Sequence, residues 1–514
     1  MNPDDERGSS PVLASSPTDS TPEVRVTNGL IPSVVFFFLA VGVAPLFFVG
    51  QITSIVPVDS TTAFVQWLLI AYSGTHLARI IFKGVPNWLD LSLYGYIYTW
   101  LALAPFIQLF AGENPLKIAV GPGQLQSQAV IVLCGLISFD LGALWSRGRR
   151  RTTAHARNAT VVEASSRQAG RQLSVTRVRV FAIVSLAVTP FFVNALGGLA
   201  TLFASRDARY ESLQSAGLYT EESKGGGAWL SSIASVLPFV SLYALIVVLI
   251  MIPALRRVVV LQLLLALLII ANIILNNPIS SSRFWFLVVV LSIVYATAWA
   301  QRPSGVRAIT MLFVGGSVVL FPYLDLFRNG NATLRVRSVT EFFTQKTDYD
   351  SLVQVGNSWR LVESYGLDFG RQMSGVIGFF IPRSAWPDKP IDTGSVLARY
   401  INYPNENLSA PLWGEFYVNF GLAGVIVGFG IAGFFAQNAT RQYLRAISNA
   451  VTHKSISLSV FLYPVLAVYF VLILRGSLLQ AMGKLVVLVV VMLIFTSRRS
   501  PANLKVAASQ SELA

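Results

Sequence analysis

Arginines near the ends of apolar stretches are the residues of this chain best suited to chemistry. Arg283 opens one such stretch after three serines, and Arg475 closes another. Arg206 follows a Gly-Gly pair, and Arg383 lies in a long polar segment between two apolar stretches. A guanidinium group stays charged and donates two parallel hydrogen bonds, which suits it to phosphate. We therefore predict that these four arginines bind a phosphate or pyrophosphate group; arginines that only reach toward lipid headgroups are the alternative.

Two carboxylates are candidates for a general base. Glu415 follows Gly414 at the start of an apolar stretch, and Asp388 lies among prolines in the polar segment. A carboxylate placed beside a substrate hydroxyl can take its proton as the hydroxyl attacks. Either carboxylate can instead form a salt bridge to an arginine, and the sequence leaves both possibilities open.

The polar segment that contains Arg383 and Asp388 covers residues 327–411. Ordered loops longer than about 15 residues are usually functional. Its acidic residues nearly balance its arginines, which favours a folded structure with paired charges. The apolar run 374–381 is too short to cross a bilayer, so we predict a re-entrant or interfacial helix, with a plain structural turn as the alternative.

The composition predicts that membrane-spanning helices position these residues. The chain of 514 residues has a mean hydropathy of +0.59 and only 12% charged residues, whereas soluble domains carry roughly 25%. We predict an all-α polytopic integral membrane protein with about twelve transmembrane helices. The predicted spans cover 30–49, 62–82, 88–110, 128–146, 179–203, 228–254, 258–275, 284–300, 308–326, 412–436, 456–474 and 480–497.

The charges of the connectors predict the orientation. Basic connectors alternate with neutral or mixed ones, and short loops rich in Lys and Arg stay cytoplasmic. Both termini are then cytoplasmic and the polar segment faces outward. Because most of the net charge of +14 lies in connectors, we expect no nucleic-acid partner. The predicted order is a disordered cytoplasmic tail (1–28), nine helices with a basic cytoplasmic linker 147–178 (29–326), a large extracytoplasmic catalytic loop (327–411), three helices (412–497) and a cytoplasmic tail (498–514).

Several classes of site are disfavoured by the sequence. Cys134 is the only cysteine, so an intrachain disulfide is impossible. The three histidines, His76, His155 and His453, fall on the predicted cytoplasmic side, away from the arginines. No Walker A motif occurs, which disfavours an ATP-driven transporter. No Asp-x-Asp pair occurs in an early outer loop, which favours a metal-independent mechanism, and we predict no cofactor. The lack of an internal repeat counts against transporters built from two similar halves.

Five motifs stand out in the chain: the Gly-Gly turn before Arg206, Ser-Ser-Ser-Arg283, Pro382-Arg383-Ser-Ala-Trp386-Pro-Asp-Lys389-Pro390, Gly414-Glu-Phe-Tyr-Val-Asn-Phe-Gly421 and Arg475-Gly476. Together they resemble the motifs of bacterial O-antigen polymerases, also called oligosaccharide repeat-unit polymerases. The resemblance covers the second half of the chain well and the first half chiefly in layout.

The resemblance implies a membrane glycosyltransferase of the GT-C type in the bacterial plasma membrane. It would polymerise undecaprenyl-pyrophosphate-linked oligosaccharide repeat units at the outer face, using a lipid-linked donor and a lipid-linked acceptor, by an inverting mechanism. A chain-length regulator and a flippase are the expected partner proteins. The alternatives are a lipid-linked oligosaccharide flippase or other transporter, and an O-antigen ligase, a class that tends to use a loop histidine that this chain lacks.

The resemblance also implies roles for individual residues. Arg283, Arg383 and Arg475 would bind the pyrophosphate, with Arg206 as a further contact, and Glu415 or Asp388 would activate the acceptor hydroxyl. The residues expected to contact glycan or lipid are Arg360, Lys389, Trp386, Trp413 and Tyr417.

Overall fold

The computed structural model describes residues 29–157, 171–204, 224–279, 281–321, 338–406, 408–453 and 456–498. In these ranges, eight helices are long and apolar enough to cross a membrane, and three shorter apolar helices lie at other predicted spans. The only sheet among the described residues has two short strands. The chain is therefore an all-α, membrane-embedded protein, while the number of twelve spans stays a prediction.

Among the described residues, ten helices precede the polar segment, besides a 3-10 turn at Pro253–Arg257. They are α1 (Leu30–Val49), α2 (Ser60–Lys83), α3 (Trp88–Ala111), α4 (Pro122–Arg157), α5 (Val175–Ala195), α6 (Gly198–Phe203), α7 (Lys224–Met251), α8 (Val259–Leu275), α9 (Arg283–Ala296) and α10 (Pro303–Leu320). The later ones are α11 (Val339–Gln345), α12 (Ser351–Tyr365), α13 (Arg371–Ile377), α14 (Thr393–Tyr400), α15 (Leu412–His453), α16 (Leu458–Arg475) and α17 (Leu478–Ile494).

Helix α3 lies in the centre of the bundle, where 89% of its most apolar window is buried. It contains a π-helical segment, Ile97–Leu103, and its Thr99 hydroxyl pairs with the Ser317 hydroxyl of α10 at 2.7 Å. Gln66 of α2 donates to two carbonyls of the same segment, which satisfies backbone groups in the core. By contrast, α1 is only 17% buried, so its apolar side chains are left to face lipid.

In its described residues, 338–406 and 408–411, the polar segment forms four α-helices, α11 to α14, and a 3-10 turn at Thr347–Tyr349. Helix α12 is the most deeply packed, because every residue of 351–358 is buried. A Cβ at Gly356 would lie 2.4 Å from the Gln128 Oε1 of α4. This contact shows how closely the segment fits onto the membrane bundle. The described part of the segment is therefore folded onto the bundle, and we call residues 338–406 and 408–411 the polar cap.

The apolar run 374–381 forms the end of α13 and the turn after it, so only part of the predicted re-entrant or interfacial helix is helical. Ile377 and Phe380 are 73% and 64% exposed. Between them in sequence, Phe379 packs against Trp229 of α7, with 5.9 Å between the ring centroids. The run therefore leaves large apolar side chains uncovered beside a membrane helix.

Helix α15 is kinked at Gly421, which has φ +64° and ψ −155°. The spacing of Gly424 and Gly428 is typical of close packing against another helix. Instead, a Cβ at Gly424 would lie 2.6 Å from the Phe416 carbonyl oxygen, and one at Gly428 would lie 2.5 Å from the Phe416 ring. Both glycines thus make room for their own helix to fold back at the kink.

The close helix contact is formed further along α15, against α4. A Cβ at Gly433 would lie 1.9 Å from the Phe139 carbonyl oxygen, and one at Gly142 would lie 1.9 Å from the Gly430 carbonyl oxygen. Real Cβ atoms cannot approach so closely, so the backbones of α4 and α15 touch only because these residues are glycines.

The structure describes residues 147–157 and 171–178 of the predicted cytoplasmic linker 147–178. Helix α4 continues through its first part to Arg157, and its last part contains β1 (Arg171–Leu173). Strand β1 pairs antiparallel with β2 (Thr496–Arg498), which follows the last helix. This pairing joins the middle of the chain to its C-terminal part.

Candidate anion-binding site

Two of the four predicted arginines meet at one carboxylate of the polar segment. Arg283 Nη2 is hydrogen-bonded and ion-paired to Asp348 Oδ2. Arg475 Nη2 lies 3.5 Å from Asp348 Oδ1 and 3.5 Å from the Thr347 carbonyl oxygen. Arg283 is the first residue of α9 and Arg475 the last of α16, so three separate elements converge here. Arg206 lies outside the described residues.

Aromatic rings fix the orientation of these guanidinium groups. The Cζ of Arg283 lies 5.1 Å from the centroid of the Phe321 ring, and the Cζ of Arg475 lies 4.8 Å from that of Phe284. Stacking on aromatic faces is a favourable arrangement for guanidinium. Because Arg283 is only 5% exposed, the rings and Asp348 hold its charge in a setting with little water.

Lys484 is a third cation near the first turn of α9, and it was not among the predicted site residues. Its Nζ lies 3.6 Å from the centroid of the Trp285 ring. Trp285 directly follows Phe284, whose ring Arg475 contacts. The available signal was a lysine inside an otherwise apolar span, a placement that is costly and usually functional. Arg475 and Lys484 thus lie over two aromatic rings of the first turn of α9, which Arg283 begins.

Several buried polar atoms near the arginine pair have no hydrogen-bond partner among the described residues. They are Arg475 Nε, the Tyr349 hydroxyl, which lies within electrostatic range of both arginines, and Asp350 Oδ2, which lies within range of Arg475. The Tyr96 hydroxyl of α3 also lies near Arg475 and Asp350. Buried polar groups are nearly always paired, so a concentration of unpaired ones indicates a place for water or ligand.

Asp350 is a second carboxylate on the same turn, and the sequence analysis did not select it. It is fully buried, and its Oδ1 accepts a 2.6 Å hydrogen bond from Ser409 Oγ. Burial raises its pKa to about 6, although the nearby Arg475 opposes this shift. The sequence signal was the Asp-x-Asp pattern Asp348-Tyr349-Asp350. This pattern was considered only for an early outer loop, whereas it lies in the polar segment.

Glu415 binds neutral groups. It is 1% exposed; its Oε2 accepts from Thr393 Oγ1 at 2.7 Å, and its Oε1 accepts from the Leu478 backbone N–H at 2.8 Å. The Ser477 hydroxyl also faces the carboxylate. Glu415 thereby joins α14, α15 and the first residue of α17. Both oxygens are occupied by donors other than arginine, which favours a structural role, while its assignment as a base stays a prediction.

The proline-rich stretch Pro382–Pro390 forms a turn that is held by hydrogen bonds within the same loop. Arg383 Nη1 donates to the Lys389 carbonyl oxygen at 2.8 Å, and Lys389 Nζ donates to the Phe379 and Ile381 carbonyl oxygens at 2.7 and 2.9 Å. Burial, with Arg383 nearby, lowers the pKa of Lys389. Asp388 is exposed at the surface of this turn. In the described part of the chain, the contacts of Arg383 thus lie within its own loop and not with the arginine pair.

The Trp386 ring belongs to the same turn and lies against Gly378, where a Cβ would approach it to 2.8 Å. Arg360 stands on the surface of α12, with its Cζ 6.0 Å from the centroid of the Tyr400 ring. Neither side chain is placed at the arginine pair by these contacts.

The contacts of Trp413 and Tyr417 in the described residues do not include the arginine pair. Trp413 is fully buried between α4 and α15, where its Nε1 donates to the Val132 carbonyl oxygen at 3.2 Å and its ring packs on Phe429. Tyr417, one turn later in the same helix, is partly buried. Trp413 therefore acts as a core residue.

A second polar cluster lies between α2, α3 and α4, toward the other end of the bundle. His76 Nε2 lies 3.1 Å from Asp140 Oδ2, and the Tyr94 hydroxyl donates to Asp140 Oδ1 at 2.6 Å. Tyr72 donates to the same carboxylate, and the His76 ring stacks on Tyr94 with 4.1 Å between centroids. We expected little from the histidines, yet His76 belongs to a connected hydrogen-bond network.

These features define an α-helical protein embedded in a membrane, with an arginine pair where its polar cap meets the helical bundle. Comparison with protein-family models, curated proteins and solved structures finds no match to this chain.

Proposed function

We propose that the protein is a membrane glycosyltransferase that polymerises oligosaccharide repeat units carried on undecaprenyl pyrophosphate at the outer face of the bacterial plasma membrane. The observation that carries the proposal is the convergence of Arg283 and Arg475, from two helices, on Asp348 of the polar cap. Arg475 keeps a buried Nε that has no partner among the described residues. Donors held in this way suit a phosphate or pyrophosphate group.

The arrangement fits the charge changes of glycosyl transfer. When the bond between the anomeric carbon and the pyrophosphate breaks, negative charge builds on the leaving oxygen. Donors that are already oriented stabilise such charge without having to reorganise, and removing one typically lowers kcat by about 10²–10³-fold. Asp348 and the rings of Phe284 and Phe321 supply this orientation before substrate arrives.

The surroundings suit a substrate that is both lipid and sugar. The cap leaves Ile377 and Phe380 exposed beside a membrane helix, where a polyprenyl chain can be covered. The Tyr349 hydroxyl and Gln354 Nε2 are buried without a hydrogen-bond partner among the described residues, and both can bond to sugar hydroxyls. A cap that combines exposed apolar side chains, unpaired polar groups and a contact to a cationic pair suits a glycan joined to a lipid through pyrophosphate.

The test is polymer formation by purified protein in liposomes supplied with a lipid-linked repeat unit and no nucleotide. Wild-type protein should give a ladder of polymer lengths, and Arg283→Ala and Arg475→Ala should each reduce it by about 100-fold or more. The control is Arg399→Ala, because Arg399 forms an exposed ion pair with Glu406 on the cap surface, and such pairs contribute little. Ladders of equal length and amount in all four proteins would refute the proposal.

A lipid-linked oligosaccharide transporter is the second candidate, and the cluster around Asp140 favours it. A transporter requires ionisable groups reachable from both sides, and His76 and Asp140 form a second ionisable cluster that shares no contact with the arginine pair among the described residues. The same liposomes separate the two functions. A transporter moves single repeat units across the bilayer and leaves their length unchanged, whereas a polymerase lengthens them.

A further inference from the structure

Asp350 combines one anchored oxygen with one available oxygen. Ser409 holds Oδ1 at 2.6 Å, while Oδ2 has no partner among the described residues. Asp350 follows two residues after Asp348, the carboxylate that both arginines contact. The side chains of Asp348 and Arg475 are 18% and 19% exposed. Asp350 is itself fully buried and lies within electrostatic range of both side chains, so a substrate bound to them comes near it.

Further polar groups lie near Asp350. The Tyr96 hydroxyl of α3 lies within electrostatic range of the carboxylate, and the buried hydroxyl of the adjacent Tyr349 has no hydrogen-bond partner among the described residues. A sugar ring presents several hydroxyls, each able to donate and accept, and these can satisfy a carboxylate oxygen and a phenol together.

We propose that Asp350 accepts the proton of the acceptor sugar hydroxyl in the transfer reaction, an inference that rests on the proposed function. The hydroxyl oxygen forms a bond to the anomeric carbon of the donor sugar. The bond from that carbon to the pyrophosphate oxygen breaks, and the pyrophosphate leaves with the electron pair toward Arg283 and Arg475. The hydroxyl proton moves to Asp350 Oδ2.

The charge environment matches this role near neutral pH. The groups that face Asp350 are Asp348 on its own turn, Arg475 from α16, Tyr96 from α3 and Ser409. Burial raises the pKa of Asp350 to about 6, and Arg475 limits the rise. The carboxylate is thus ionised at pH 7, yet basic enough to take a proton. Transfer should increase with pH through about 6.

The test measures single-turnover transfer and donor binding separately. Asp350→Asn should lower the transfer rate by about 100-fold or more, with donor affinity within about twofold of wild type, and Asp350→Glu should restore part of the rate. Ser409→Ala removes a hydrogen bond that favours the ionised carboxylate, so it should move the acid limb of the pH profile to higher pH. The control Glu363→Gln changes an exposed carboxylate of α12 and should leave rate and profile unchanged.

Each possible outcome decides the question. Transfer by Asp350→Asn at the wild-type rate with the same acid limb overturns the inference and leaves the proposed function standing. Equal loss of donor binding and transfer in Asp350→Asn also overturns it, because Asp350 would then only support the fold. Failure of wild-type protein to bind a polyprenyl pyrophosphate glycan or to transfer it overturns the proposed function and this inference together.

Discussion

Replacing Glu415 with glutamine or alanine separates a structural role from a catalytic one. The carboxylate accepts hydrogen bonds from Thr393 and from the Leu478 backbone N–H. Glutamine keeps an acceptor for the N–H, and its amide can donate to the Thr393 hydroxyl oxygen. A structural residue should therefore tolerate glutamine, while a general base should not.

The expected cost of alanine follows from these two bonds. Glu415→Ala leaves a buried N–H and a buried hydroxyl without an acceptor, and each such group costs about 1–3 kcal/mol. The free energy of unfolding should thus fall by roughly 2–6 kcal/mol. Glu415→Gln should change it by less than about 1 kcal/mol, because both contacts persist in neutral form.

Thermal unfolding in detergent and the initial rate of polymer formation provide the assay. We expect Glu415→Gln to unfold near the wild-type temperature and to keep its activity within about tenfold, while Glu415→Ala unfolds several degrees lower. Glu363→Gln, an exposed change on the polar cap, controls for the loss of a carboxylate. A glutamine variant as stable as wild type that loses activity by more than about 100-fold would show that the structural interpretation is wrong and that Glu415 is the base.

Three further predictions address the arginine pair, the helix contact and Asp350. Arg475→Lys should keep the positive charge yet retain less than about a tenth of the transfer rate, because an ammonium cannot donate two parallel hydrogen bonds from a planar group. Steady-state kinetics should show a larger loss in kcat than change in KM. Gly433→Ala should lower the unfolding temperature, with a cost of about 1–3 kcal/mol for forcing α4 and α15 apart, whereas Gly123→Ala, whose Cβ would meet nothing within 4 Å, should not. The pKa of Asp350 is raised from 3.8 to about 6, so the native state loses up to about 3 kcal/mol relative to the unfolded state as pH rises through that window. Asp350→Asn should therefore stabilise the protein at pH 7 and have a smaller effect near pH 4. Calorimetry at the two pH values can check this prediction.

Hydropathy predicted where helices lie, yet it did not predict where all of them end. Helix α4 continues to Arg157 and α15 to His453, well beyond their apolar stretches. A change from apolar to polar residues marks the boundary of the lipid-facing part, while the backbone hydrogen bonds continue wherever residues of good helix propensity follow. The π-helical segment in α3 and the kink at Gly421 depend on tertiary packing, so the pattern of apolar residues carried no signal for them.

The candidate site was predictable where a charge lies inside an apolar sequence. Arg283 and Arg475 were found in this way, because burying a guanidinium group near lipid requires a partner or a purpose. Arg383 looked equivalent but donates to carbonyl oxygens of its own loop, and backbone acceptors leave no trace in the sequence. Asp348 and Asp350 were hidden among the other acids of a charged segment, since only the folded cap brings them to α9 and α16.

The polar cap contributes both to the candidate site and to its own attachment. Asp348 contacts the arginine pair, and the bonds of Glu415 to Thr393 and Leu478 join the cap to α15 and α17. Arg283 and Arg475 therefore share one carboxylate only while the cap is docked on the bundle. Under the proposed function, a change that loosens the cap should reduce catalysis even when every arginine remains, because the guanidinium groups lose their common partner before the leaving group develops its charge.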